Sequence, residues 1–160
     1  MTKETITDPI NGDRVSEYAY DRVGNRVYSN IAGVQTLYLY DDNDRLLKQG
    51  GETYVYDANG NTVDKRIDAE ITTYVYNRKN QLVSVTTDTG TDTSTMSYRY
   101  NADGIRTAQV VNGVETRFLI DENRDYAQVL AEYDADQNVA VHYRYGHDLL
   151  LQDRQTGGIS

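Results

Sequence analysis

Cysteine and tryptophan are absent from this 160-residue chain, and proline and phenylalanine occur once each. Without cysteine there is no disulfide framework, no thiolate metal cage and no cysteine nucleophile, and the redox compartment leaves no trace in the sequence. Two histidines, His142 and His147, are too few for a three-histidine zinc site. Basic residues are also short. Sixteen against 25 acidic residues give a formal charge of −9, which argues against nucleic acid or an acidic membrane surface as partner. No apolar run approaches the roughly 18 residues of a membrane span, and the polar start Met1-Thr2-Lys3-Glu4 does not read as a signal peptide. These exclusions leave a soluble protein or a piece of one. A core is affordable at this single-domain length, but it has to come from Val, Leu, Ile and the 15 Tyr.

What the chain does have is an internal repeat. Tyr-x-Tyr followed by Asp or Asn occurs at Tyr18-Ala19-Tyr20-Asp21, Tyr38-Leu39-Tyr40-Asp41, Tyr54-Val55-Tyr56-Asp57, Tyr74-Val75-Tyr76-Asn77 and Tyr98-Arg99-Tyr100-Asn101. Degenerate copies follow at Phe118-Leu119-Ile120-Asp121, Glu132-Tyr133-Asp134 and Tyr143-Arg144-Tyr145-Gly146. Two Tyr at i and i+2 share one face of a strand, where aromatic rings are favoured. The next Asp or Asn hydrogen-bonds the backbone two residues on and opens a turn. Three residues later stands a type that tolerates the left-handed conformation of a bulged hairpin: Gly24, Asp44, Gly60, Asn80 and Gly104. Arg124 and Gln137 occupy that place in two later copies and break the rule.

Asn112-Gly113, Gly50-Gly51, Asn11-Gly12 and Asp68-Ala69 read as reversals at the opposite strand ends. The second Tyr recurs at 20, 40, 56, 76 and 100, in steps of 20, 16, 20 and 24 residues. Steps differing by four let each of two paired strands change by two residues, which keeps every side chain on its face. The expected fold is therefore all-β, an antiparallel meander of a dozen or more short strands, twisting into a curled sheet that forms a partial shell or open barrel. A weak helical period spans Ala127 to Glu132, and the polar stretch Thr86 to Ser97 reads as a long hairpin tip. Met1 to Thr7 and Gln152 to Ser160 are expected to fray.

Chemistry is harder to find. Acidic residues are so frequent that no carboxylate pair stands out, and Asp21, Asp41, Asp57 and Asp121 already have work as turn starters. His142 alternates with strand residues and His147 follows Gly146 in a turn, so neither reads as a general base. Asp121-x-Asn123-x-Asp125 with Glu132 at the twelfth place copies the ligand spacing of a calcium loop, but Tyr126 stands where that loop needs Gly and strands flank it. Asp134-x-Asp136-x-Asn138 is weaker, with Val139 and Tyr145 at the Gly and Glu places. The expectation is no enzyme, no cofactor and no metal. The Tyr rows read as ladders joining strands, each aromatic pair adding about 0.2 to 1 kcal/mol. As an alternative, exposed rings flanked by Asp and Asn form a carbohydrate- or protein-binding face.

The pattern Tyr-x-Tyr-Asp-x-x-Gly-Asn-Arg, five times in register, resembles the Rhs or YD-repeat proteins over about residues 14 to 151. The stretch from Tyr126-Ala127-Gln128-Val129-Leu130 through Tyr143-Arg144-Tyr145-Gly146-His147-Asp148-Leu149-Leu150 is similar to the opening of the Rhs-associated core. The organisation expected is a lead-in strand or hairpin over 1–13, repeats over 14–125, the core-like segment over 126–151 and a tail over 152–160. The resemblance implies a β-ribbon shell that encloses a toxic C-terminal cargo in bacterial polymorphic toxins and toxin complexes, with related repeats in adhesion proteins. The family's self-cleavage motif and toxin have no counterpart here, because Asp8-Pro9 is the only Asp-Pro and lies at the other end. The reading is a structural shell segment whose partner is a cargo or the rest of a larger parent, with self-association of the isolated chain through its open strand edges. The residues expected to build it are Tyr18, Tyr20, Asp21, Gly24, Tyr38, Tyr40, Asp41, Tyr54, Tyr56, Asp57, Gly60, Tyr74, Tyr76, Tyr98, Tyr100 and Gly104.

Overall fold

The computed structural model describes residues 2–6, 14–146 and 149–154. Asp8-Pro9, Asn11-Gly12 and His147 lie outside the described residues. The chain divides into two compact units, Met1–Ile71 and Thr72–Ser160. Every regular element among the described residues is a strand.

The first unit runs β1 (Thr2–Ile6), β2 (Arg14–Tyr20), β3 (Arg26–Ile31), β4 (Val34–Tyr40), β5 (Leu46–Gln49), β6 (Glu52–Tyr56) and β7 (Thr62–Ile67), each paired antiparallel to the next. β8 (Glu70–Tyr76) begins at the boundary. The second unit continues with β9 (Leu82–Asp88), β10 (Thr93–Tyr100), β11 (Arg106–Val111), β12 (Val114–Asp121), β13 (Gln128–Tyr133), β14 (Val139–Tyr145) and β15 (Leu149–Arg154), again pairing in chain order. The fold is the expected all-β antiparallel meander.

The register carries a recurrent irregularity that explains the repeat. Pairing slips by one residue at Ala19/Tyr20, Leu39/Tyr40, Val55/Tyr56, Arg99/Tyr100 and Arg144/Tyr145, always at the second Tyr of the doublet. Such a bulge turns the end of the strand and increases its local twist. In β4, Tyr38 and Tyr40 are half-buried, while Leu37 and Leu39 on the alternate face are 68% and 56% exposed. The same alternation places Val55 and Val75 in solvent between covered tyrosines.

Burial is therefore shallow. Val85, Ala108, Ala131 and Val141 are the buried apolar residues among those described, joined by Ser29 and Thr72. The core that composition allows is not concentrated in one place, because a strand in a single layer covers a side chain only with its two neighbours. Val85 is such a case, set opposite Met96.

Two local expectations are corrected. The polar stretch from Thr86 to Ser97 is mostly strand, with Thr95 opposite Thr86 and Ser94 opposite Thr87, and its tip is confined to Thr89–Asp92. Polar but β-branched threonines suit a two-sided sheet, so polarity alone misplaced the boundary. The weak helical period at Ala127 to Glu132 belongs to strand β13, where pairing with β12 and β14 overrides it. At the chain ends β1 pairs with β2 and β15 with β14, and strand structure reaches Arg154.

The ends opposite the Tyr doublets are closed by tight reversals, of which two share one geometry. Asn112 and Gly113 have φ of 49° and 87°, and Ala32 and Gly33 have 52° and 88°. Both residues of each pair are left-handed, as a type I′ turn requires. Asn112 suits its place, and its Oδ1 accepts from Thr95 N at 2.8 Å and Ser94 Oγ at 3.1 Å. Ala32 has neither the side-chain acceptor nor the conformational tolerance, and an L-residue held there costs about 1–2 kcal/mol. Ala32→Asn is expected to stabilise the protein by about 0.5–1 kcal/mol. Urea unfolding followed by circular dichroism checks this, and an unchanged or lower midpoint contradicts the strained-turn account.

Candidate functional site

Six turns share a single hydrogen-bond scheme. The N–H of the starting Asp or Asn donates to the carbonyl four residues on: Asp21 to Asn25, Asp41 to Arg45, Asp57 to Asn61, Asn77 to Gln81, Asn101 to Ile105 and Asp134 to Asn138, at 2.9 to 3.0 Å. The side-chain oxygen of the same residue then accepts backbone N–H groups inside the loop. Asp57 Oδ1 takes Asn59 N and Asn61 N, both at 2.9 Å. Asp21 Oδ1 takes Val23, Gly24 and Asn25 N at 2.8 to 3.0 Å. Asn77 and Asn101 do the same with an amide oxygen, reaching Lys79 and Gln81 N, and Asp103 and Ile105 N. These donors have no ladder partner, so an oxygen at this one position settles where each turn forms.

The left-handed residue falls where the repeat places it: Gly24, Asp44, Gly60, Asn80, Gly104 and Gln137 all have positive φ. Gln137 thus adopts the turn although its side chain gives no local advantage, because Asp134 and Asn138 supply the rest of the bonding. The Asp121 copy does differ. Asp121 accepts Asn123 N at 3.1 Å and the Arg124 guanidinium at 3.1 Å, with no bond from a residue four places on among those described.

Three Tyr hydroxyls tie a hairpin to the strand before it. Tyr56 donates to the carbonyl of Leu46 at 2.7 Å, Tyr100 to Leu82 at 2.7 Å and Tyr145 to Val129 at 2.9 Å. In each case the second Tyr of a doublet grips the start of the strand before it, at the opening residue for Leu46 and Leu82 and at the second residue for Val129. First-position tyrosines bond side chains instead: Tyr38 meets Ser29 Oγ at 3.2 Å, Tyr54 donates to Glu52, and Tyr143 donates to Glu132. Hydrogen bonding by Tyr54 and then by Lys65 holds the Glu52 carboxyl below its ordinary range.

Cations lie between the rings, a feature the ring-on-ring ladder expectation missed. The Arg26 guanidinium is 4.9 Å from the Tyr18 ring and 5.8 Å from that of Tyr38, joining two hairpins. Arg45 lies 5.1 Å from Tyr56, Lys65 is 6.0 Å from Tyr54, and Arg106 is 4.2 Å from Tyr98. The signal was available, because a basic residue follows the turn in Gly24-Asn25-Arg26, Asp44-Arg45 and Gly104-Ile105-Arg106. Each contact contributes about 0.5–1 kcal/mol at such half-exposed places. Neighbouring turns are also pinned directly, by Asn25 Nδ2 to Asp44 Oδ1 at 2.7 Å and by Lys79 Nζ to the Ala102 carbonyl at 3.0 Å.

The residues considered for chemistry are dispersed. His142 is exposed on β14 opposite Ala131 and Asp153. The calcium-loop spacing does not converge: Asp121 is held by its own loop, while Glu132 on β13 accepts the Tyr143 hydroxyl. Among the described residues, Glu115 makes the densest charge cluster, bonded by Arg99 at 2.6 Å and Arg117 at 3.0 Å.

The turn carboxylates are held ionised by what they bind. The Asn61 side-chain amide and backbone N–H groups depress the Asp57 carboxyl, the Arg45 N–H depresses that of Asp41, and the Asn138 amide that of Asp134. A group whose folded value lies below its unfolded one of about 3.9 contributes fully above that pH and loses its contribution as pH falls through the lower folded value. Thermal melts are therefore expected to soften progressively below about pH 4. Asp57→Asn, which keeps the accepting oxygen, should flatten this dependence, whereas Asp57→Ala should lower the midpoint at neutral pH as well. Equal behaviour of the two variants contradicts the turn scheme. Tyr56→Phe, which loses only the bond to Leu46, is expected to cost about 1 kcal/mol in urea unfolding, and no loss would show that hydroxyl to be idle.

No curated protein matches the chain. Among solved structures it resembles the complex TcdB2-TccC3-Cdc42, with 15% identity and a TM-score of 0.58 over 86% of this chain and 10% of the other. The complex TcdB2-TccC3-TEV gives 15% and 0.57 over 89% and 10%. A Photorhabdus luminescens Tc holotoxin pore carrying a TccC3 mutation gives 17% and 0.64 over 97% and 11%. This chain thus spans about a tenth of the length of those chains, and the likeness is one of fold. The family described as Teneurin YD-shell matches residues 1–158. With nearly its whole length matched and the Tyr-Asp lattice in place, the chain belongs to the teneurin YD-shell family of YD-repeat proteins.

Proposed function

We propose that this chain is a length of shell wall, with no catalysis of its own, that helps enclose a polypeptide cargo within a larger parent. The observation that carries this reading is where the repeat's polar chemistry goes. Turn-starting Asp and Asn bind backbone N–H groups, and doublet tyrosines bind the neighbouring strand. Groups held this way build fabric and leave no nucleophile and base set against each other. The intrinsic twist of antiparallel strands, increased at every bulge, is what would roll such a meander into a partial shell. Repeats over 14–125 and their core-like continuation over 126–151 would then form one run of wall.

A glycan-binding role for the Tyr rows as a whole fits less well, since several rings are covered by Arg26, Arg45 and Arg106. Among the described residues the two outermost strands, β1 and β15, each have one neighbour in their unit, and unpaired edges invite another chain. The isolated protein is therefore expected to self-associate. Size-exclusion chromatography with light scattering should show dimers or larger species, and a monomer at all concentrations contradicts edge pairing.

The enclosing role is tested in the native polypeptide that carries these residues. Limited proteolysis should leave a segment outside residues 1–160 protected, and the double substitution Asp57→Ala with Tyr56→Phe should expose it. A native polypeptide with no protected segment, or protection that survives the wall-breaking variant, would overturn the proposal.

A further inference from the structure

Of the 15 tyrosines, Tyr126 alone stands outside a strand. It lies between β12 and β13, where residues 122–127 are all exposed, and it is itself 85% exposed. Exposure is not what sets it apart. Tyr20 is 47% exposed, but it is paired within β2. Among the described residues, 123–126 make no backbone-to-backbone hydrogen bond, and the Tyr126 side chain has no partner.

The same asymmetry holds for every side chain that a deep apolar pocket accepts. Among the described residues, Phe118, Met96 and each leucine lie in strands, as do the other tyrosines. Basic residues are distributed differently, with Arg22, Arg78, Lys79 and Arg124 all standing between strands. A protease takes its substrate as an extended, unpaired strand, so a bond inside the ladder is closed to it until the sheet opens. An enzyme that reads a cation therefore meets several open bonds in this chain, whereas one that reads an aromatic ring meets the bond after Tyr126.

The attachment of this stretch also favours local opening. Its first half is tethered, since Glu122 accepts the Asn101 amide at 2.6 Å and the Arg124 guanidinium reaches Asp121 at 3.1 Å. Arg124 is half-exposed in that ion pair, which holds the segment weakly. Asp125 and Tyr126 have no hydrogen bond among the described residues. A space of about 370 Å³ borders them, with Arg124, Gln128 and Gly146 along its sides. Gln128 Oε1 is buried there without a hydrogen-bond donor. Lifting this stretch into water thus satisfies a polar group, where lifting any of the six bonded turns breaks several bonds.

We propose that the Tyr126–Ala127 peptide bond is a processing site for a serine protease whose primary pocket takes an aromatic ring. The bond from the Tyr126 carbonyl carbon to the Ala127 nitrogen breaks, and Ala127 leaves as an amine carrying the proton passed on by the enzyme. Water then releases Tyr126 from the serine as a carboxylate. The cut chain stays assembled. Strand β12 on one fragment pairs with β13 on the other, from Arg117 opposite Tyr133 to Asp121 opposite Gln128, and β13 keeps its pairing with β14. Cleavage therefore severs the backbone between 1–126 and 127–160 and leaves strand pairing to join them. Nothing in this depends on whether the wall encloses a cargo.

The test is brief digestion of the whole 160-residue chain with dilute chymotrypsin, read by intact mass. Fragments 1–126 and 127–160 should appear first, at a rate at least about tenfold above that of any other cut. They should co-elute in size-exclusion chromatography at neutral pH and separate only in denaturant. Tyr126→Asn, with circular dichroism unchanged, is expected to slow the first cut at least about tenfold. Ala127→Pro keeps the ring but blocks the bond, and should give the same loss should the first variant misfold. A first cut elsewhere, no cut before global unfolding, fragments that part without denaturant, or folded variants cut as fast as the native chain would each overturn the proposal.

Discussion

The structure depends on one short interaction, a side-chain oxygen that accepts the backbone N–H groups of a four-residue turn. Those N–H groups point into the loop and have no strand opposite them. Supplied with an acceptor by Asp57 or Asn101, the chain reverses there, and the left-handed residue three positions on completes the reversal. The reversal sets the one-residue slip in register at the preceding Tyr, and the slip aims that Tyr. Its hydroxyl then meets the carbonyl of the residue leaving the previous turn. Local chemistry in one repeat is thereby passed to its neighbour.

Such a design stores its stability in neighbour contacts more than in a common core. Buried apolar residues are few and small, with Ala108 and Ala131 among them, and much aliphatic surface on the face opposite the tyrosines is exposed. Repeat proteins of this kind approximate a sum of unit and interface terms. The interface terms here are tyrosine hydroxyl bonds, cation and ring contacts, and turn-to-turn bridges. Ion pairs such as Arg66 with Asp64 at 2.7 Å lie on the surface and add little by comparison. A shell wall is well served by this arrangement, because length can be added without enlarging a core.

Much of this was legible in the sequence because the rules involved are short-range. Tyr-x-Tyr-Asp and the Gly, Asp or Asn three places later specify strand, bulge and turn within eight residues, and the parity of the spacing excludes a helix. Gln137 shows the limit of a residue-type rule: its turn forms because Asp134 and Asn138 suffice. Arg124, in the same place of its copy, has no such support, and its side chain binds Asp121. The polar strands around Thr86 and Ser94 were missed because cross-strand pairing, which no single stretch reveals, decides them. Arg26 and Arg106 were present in the motif, yet their places over Tyr18, Tyr38 and Tyr98 follow from which strand lies alongside.

Native-state hydrogen exchange tests the central interaction most directly. The amides of Asn25, Arg45, Asn61, Gln81, Ile105 and Asn138 each donate to the side-chain oxygen that opens their turn. They should exchange slowly and as a group, whether Gly, Asp, Asn or Gln holds the left-handed place, and much more slowly than the amides of Asp125, Tyr126 and Ala127. If those six exchange as fast as the 125–127 segment, the turns do not hold the sheet together and the account fails.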